Sequence, residues 1–115
     1  MSENYTLMTK ALRLVNDFRN RVGRKTLKKL PKGEMSNAKA CPLYNAIDAS
    51  CTAIDSDDAI FSNAKDAIQA ATAWGTRVRI GGGLDKGKYI VTCPKVFDEF
   101  IDRFDSGEIP SLIKE

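Results

Sequence analysis

A chain of 115 residues with 43% hydrophobic and 29% charged residues has ordinary globular composition. It is read as a single domain, residues 1–115, that can bury a core without metal or disulfide staples. It has no histidine, which removes Ser-His-Asp and Cys-His catalysis, the commonest general acid–base and the commonest transition-metal ligand. The net charge of +3 conceals a split: residues 1–46 carry ten Lys and Arg against three acids, giving +7, and residues 47–115 carry eight against twelve, giving −4.

The N-terminus, MSENYTLMTK, lacks the charged, apolar and small-residue order of a signal peptide. No apolar run approaches the roughly 18 residues of a membrane span. The cysteines, three in number, have no regular spacing. Together these features predict a cytoplasmic protein with buried or free thiols and no membrane partner.

Residues 6–22 read as the first helix. Leu7, Ala11, Leu14, Val15, Phe18 and Val22 recur at helical spacing, Asn4 or Thr6 can cap the start, and Gly23 is a natural stop. Residues 24–40 lack sustained periodicity, and Pro31, Gly33, Ser36 and Asn37 mark a loop, with Leu27 and Leu30 available to touch the core. Such long connections are often either mobile or functional. This one carries the most unusual feature of the chain. Arg19, Arg21, Arg24, Lys25, Lys28, Lys29 and Lys32 follow one another with no acid among them.

A short second helix is expected from Pro42, with Leu43, Ala46 and Ile47 buried. From Asp48 to Phe61 the reading is ambiguous. Cys51–Ile54 and Ala59–Phe61 can each form a short strand, joined by the turn-like Asp55, Ser56, Asp57 and Asp58. Residues 63–74 read as an alanine-rich third helix with Ala64, Ala67, Ile68, Ala71 and Trp74 on one face and Gly75 after it. The period then changes to two. Val78 and Ile80 alternate with Arg77 and Arg79, and a second β-rich run covers Tyr89 to Thr92, around a tip that contains Gly81, Gly82, Gly83, Lys86, Gly87 and Lys88. This is the pattern of a β-hairpin with a flexible, glycine-rich tip and a basic solvent face.

The firmest helix follows. Pro94 suits a first helical position, and Phe97, Phe100, Ile101 and Phe104 fall at i, i+3, i+4 and i+7. Asp98, Glu99, Asp102 and Asp105 take the other positions, a solvated face or a dock for a basic partner. Gly107 ends the helix, and Ile109, Leu112 and Ile113 are expected to fold back on the core. The predicted fold class is α+β, with three or four helices packed on a small antiparallel sheet containing the glycine-rich hairpin.

Four short stretches, ALRLVNDFR (Ala11 to Arg19), LPKG (Leu30 to Gly33), CPLYNAI (Cys41 to Ile47) and FIDRFDSGEIPSL (Phe100 to Leu112), resemble small uncharacterised proteins of actinobacteria and their bacteriophages. The resemblance covers the two ends of the chain and leaves the middle unmatched. It implies an intracellular, phage or prophage setting and brings no catalytic residues with it.

No catalytic set, metal site or cofactor site is expected. The gaps between Cys41, Cys51 and Cys93 are nine and forty-one residues, unlike the paired ligands of structural zinc. Cys41 and Cys93 each precede a helix-opening proline and are either packing residues or thiols activated by a helix N-terminus. Asp55, Asp57 and Asp58 fail the calcium-loop pattern. The triple glycine precedes a strand and lacks the GK[ST] of a phosphate loop.

Two functions stay open. One is a small protein-binding or regulatory module, phage-encoded and acting on a host protein, that uses the charge split for recognition. The other is a nucleic-acid-binding module that uses the tract Arg19, Arg21, Arg24, Lys25, Lys28, Lys29 and Lys32 together with Arg77, Arg79, Lys86 and Lys88 of the hairpin. An enzyme is not expected. The charge split also permits self-association, basic region against acidic helix.

Overall fold

The computed structural model describes residues 3–48 and 50–114. Helix α1 (Glu3–Arg21) starts three residues before the expected boundary. Asn4 is therefore inside the helix rather than at its cap. Its Nδ2 donates to the Glu108 carbonyl at 2.7 Å, and its Oδ1 accepts from Arg103 at 3.3 Å, so it ties the helix to the C-terminal region.

Helix α2 (Pro42–Ile47) is capped by Cys41, whose Sγ accepts the Tyr44 N–H at 3.4 Å. Strands β1 (Cys51–Ile54) and β2 (Asp58–Phe61) resolve the ambiguous stretch. Asp55 makes their turn, its Oδ1 accepting the N–H groups of Asp57 and Asp58. Helix α3 (Ala64–Trp74) is capped by Asn63 and stopped by left-handed Gly75.

Strand β3 (Val78–Ile80) and strand β4 (Tyr89–Thr92) flank a short 3₁₀ turn at Gly83–Asp85. Helix α4 (Lys95–Asp105) takes Pro94 as its N-cap rather than its first residue. A second 3₁₀ turn, Pro110–Leu112, closes the chain.

The sheet has the order β1-β2-β4-β3, and every pairing is antiparallel. The molecule is therefore α+β, with four helices and a four-stranded sheet among the described residues. Register sorts the side chains by face, because paired residues point the same way and neighbours along a strand point oppositely. One cross-strand row runs Ile80, Tyr89, Phe61, Cys51, and a second runs Val78, Val91, Ala59, Ile54. These rows face the helices. The row Arg79, Ile90, Ile60, Ala53 faces the other way.

The core is one contiguous cluster whose centre is aromatic. Phe18, Phe61 and Trp74 lie within 6.4 Å of one another by ring centroids, and Phe97 meets Trp74 edge-on at 4.8 Å. The Trp74 indole N–H donates to the Leu14 carbonyl at 3.0 Å, which satisfies its polar edge inside the core. All four residues of the α4 stripe, Phe97, Phe100, Ile101 and Phe104, are buried.

The tail folds back as expected. Ile109 and Leu112 are buried, and Ile113 pairs with Gly33 in a parallel bridge. A Cβ at Gly33 would sit 2.5 Å from the Ala40 carbonyl oxygen, so only glycine fits the crossing.

Helix α3 departs from its expected face. Ala67, Ala70, Ala71 and Trp74 are buried, whereas Ile68 is 53% exposed. The seam that α3 presents to α1 and the sheet centre is rotated toward Ala70, and Ile68 is left at its margin.

Candidate functional site

The basic tract divides into two groups. The Arg19 guanidinium donates from Nε to the Lys25 carbonyl at 2.6 Å and from Nη1 to the Ala46 carbonyl at 2.8 Å. Arg24 Nη1 donates to the Ile47 carbonyl at 2.6 Å. Ala46 and Ile47 end α2, where carbonyls lack intrahelical partners and the helix dipole favours a cation. Arg19 and Arg24 thus complete the C-terminus of α2. Partial desolvation, with Arg24 close by, lowers the Arg19 pKa. Arg21 Nε donates to Gln69 Oε1 on α3 at 3.0 Å.

Lys25, Lys28, Lys29 and Lys32 are exposed, and none forms an ion pair among the described residues. Beyond α1 the chain turns back along that helix. The Asn16 side-chain amide holds the Leu27 backbone through both its N–H and its carbonyl, at 2.8 and 2.9 Å. Lys28 and Lys29 rim a shallow groove of about 170 Å³ over Met8, Leu12 and Leu30.

The hairpin cations are built on other elements. Arg77 and Arg79 share the face away from the helices, and Arg79 Nη2 pairs with Asp58 at 3.2 Å. Lys86 and Lys88 lie in the connection, which is closed by Gly81 N–H to the Lys88 carbonyl at 2.8 Å and Lys88 N–H to the Asp85 carbonyl at 2.9 Å. The tract packs on α1 and α2, while the hairpin packs on β4 and α3.

The three thiols are interior groups. Burial raises the pKa of Cys41, lifts that of Cys51 from 9.0 to about 12, and raises that of Cys93, with nearby Asp55 and Asp58 adding to the last. Cys93 Sγ donates to the Asp55 carbonyl at 3.5 Å. Of the two readings of Cys41 and Cys93, the structure supports packing. No trio of Cys, Asp or Glu among the described residues could hold a metal ion. No helix among them is long and apolar enough to cross a membrane.

The surface that sequence reasoning missed lies at the β3 edge. Along the row Ile80, Tyr89, Phe61, Cys51, exposure falls from 78% at Ile80 to zero at Phe61. Helix α3 covers the β2 and β4 part of that row and reaches β3 only at its margin. Val78 (37% exposed), Ile80 and Ile68 therefore line an apolar groove of about 180 Å³ with Ala64, Arg79 and Tyr89. Leu84, at the tip of the connection, is fully exposed. Single exposed aliphatics are normal on a surface, and the contiguous set on this sheet edge makes it a candidate site. The available signal was Ile68, an aliphatic residue beside an alanine-rich seam that small residues alone could fill.

Comparison with protein-family models, with curated proteins and with solved structures finds no match.

Proposed function

We propose that this chain is a small protein-binding module whose docking surface is the β3 edge. The observation that carries the reading is the apolar groove of Ile68, Val78 and Ile80 beside unpaired strand backbone. Burial of such side chains on binding is worth roughly 25 cal/mol per Å² before the ordering cost of association. The resemblance of the two chain ends to phage and actinobacterial proteins points to a host protein as the target. The test is affinity capture with the wild-type chain beside an Ile68→Asp/Ile80→Asp double variant. Capture that the variant loses supports the reading, and equal capture by both overturns it.

A second reading, nucleic-acid binding, is favoured by the four exposed lysines without ion pairs, Lys25, Lys28, Lys29 and Lys32. Random-sequence DNA and RNA binding at low and physiological salt tests it against a variant with all four changed to Gln. Phosphate contacts made by these lysines would give steep salt dependence that the variant loses. A wild type that fails to bind at low salt ends this reading.

A further inference from the structure

The docking surface has a geometry that specifies its occupant. Resting on the protein-binding reading above, we propose that the partner contributes an extended segment that alternates apolar and acidic residues and adds antiparallel to β3 as a fifth strand.

The backbone supplies the first argument. The Thr92 N–H donates to the Arg77 carbonyl, and the Gly81 N–H donates to the Lys88 carbonyl. In an antiparallel ladder alternate residues turn their backbone groups toward the same neighbour. Residues 77, 79 and 81 thus bond to β4, and the N–H and C=O of Val78 and Ile80 point outward from the sheet. β3 is the last strand in the order β1-β2-β4-β3. Those outward groups match the donors and acceptors of an added strand, the mode by which many domains bind extended peptides.

The side chains supply the second. Val78 and Ile80 stand on the helix side of the sheet, where Ile68 and Tyr89 complete the groove. Arg77 and Arg79 stand on the opposite side. An added strand alternates in the same way, so every second residue lies over the groove and the intervening ones lie beside the arginines. Apolar residues suit the first set and acids the second. Arg77 forms no ion pair among the described residues, Arg79 holds only Asp58, and Lys86 and Lys88 lie in the adjoining connection.

The same charges disfavour a second copy in the registers that set Val78 against Val78 or Ile80. Antiparallel pairing of two β3 edges through their outward residues sets Arg79 against Arg79 when Val78 faces Ile80. It sets Arg77 against Arg79 when Val78 faces Val78. Like charges directly opposite are destabilising, and basic residues on an edge strand are a common guard against self-pairing.

The experiment uses the full chain, labelled for NMR. The probe is a short capped peptide alternating glutamate with valine and isoleucine. Its controls are a lysine-for-glutamate version and versions N-methylated at either the apolar or the acidic positions. The expected result is hydrogen-exchange protection of the Val78 and Ile80 amides and binding weakened by salt. Ile80→Glu should weaken binding by about tenfold or more. N-methylation at the apolar positions, whose N–H groups face β3, should abolish binding, and at the acidic positions it should be tolerated. Equal binding of the lysine peptide overturns the charge argument, as does self-association lost on Ile80→Glu. Absence of protection at Val78 and Ile80 overturns strand addition. If capture in that case still depends on Ile68 and Ile80, the protein-binding reading stands; if it does not, both fall.

Discussion

Helix α4 and strand β3 carry apolar residues at textual periods that are equally regular, yet they end in opposite environments. Phe97, Phe100, Ile101 and Phe104 are at most 5% exposed, whereas Val78 and Ile80 are 37% and 78% exposed. Both sets point toward the interior side of their layer. The difference is coverage. α4 has α1 packed along it, and its rings meet the aromatic centre at Trp74. β3 is only partly covered by the eleven-residue α3, which meets it at the groove of Ile68, Val78 and Ile80. Periodicity sets the direction of a side chain, and a neighbour must still be present to bury it.

The comparison can be broken most directly from the α4 side. Phe100→Ala removes a fully buried ring stacked on Phe104 at 6.3 Å. It is expected to cost about 3–5 kcal/mol in urea unfolding, the range for emptying an aromatic core site. A loss under about 1 kcal/mol would mean that α4 is not the anchor its burial indicates.

The basic tract gives the next largest effect and the same contrast in miniature. Arg19→Ala removes two charge-assisted bonds to backbone carbonyls and is expected to destabilise by about 1.5–3 kcal/mol. Lys28→Gln, at an exposed lysine of the same tract, is expected to stay within about 0.5 kcal/mol. Equal effects would erase the division between fold-holding and free cations.

Alkaline pH probes the interior without a cavity. The Cys51 thiol is raised from 9.0 to about 12 by burial. Its unfolded form therefore ionises first, and the unfolded chain binds fewer protons between these values. The stability contributed by this group is fully present below pH 9 and declines as pH rises toward 12. The slope approaches about 1.4 kcal/mol per pH unit. The Cys51→Ala variant should lose less stability than wild type over that window, measured as urea midpoints at successive pH values.

These contrasts also show what was legible in the sequence. The four helices, the β3–β4 pair and the folded-back tail follow from local signals: Phe97 to Phe104 at helical spacing, Gly23 and Gly75 at helix ends, and period two around Val78. The ambiguous stretch from Asp48 to Phe61 became two strands because Asp55 caps their turn and Ala59 and Phe61 find partners in Val91 and Tyr89. Those partners are some thirty residues away, so no local window contains them. The site was less legible for the same reason. Arg19 and Arg24 looked like free charges because the carbonyls of Ala46 and Ile47 lie over twenty residues downstream. Ile68 looked buried because its spacing fits the alanine seam. Only the packing shows that Ala70 takes the inward position.

The smallest expected effects fall on β3 itself, and they are the most diagnostic of its role. The Arg79–Asp58 pair spans 3.2 Å, with side chains 56% and 28% exposed. Water screens such a pair, and fixing two flexible side chains costs entropy, so Asp58→Asn is expected to change stability by less than about 1 kcal/mol, and less still at high salt. Ile80→Thr keeps the β-branched shape that strands favour and removes little buried area. It should leave the unfolding midpoint within about 0.5 kcal/mol of wild type. An edge strand whose exposed aliphatic residues contribute little to folding carries them at the risk of aggregation. The proposed binding role would account for their presence there. Should Ile80→Thr instead destabilise by as much as a core substitution, Ile80 would be a structural residue, and the contrast between β3 and α4 would vanish with it.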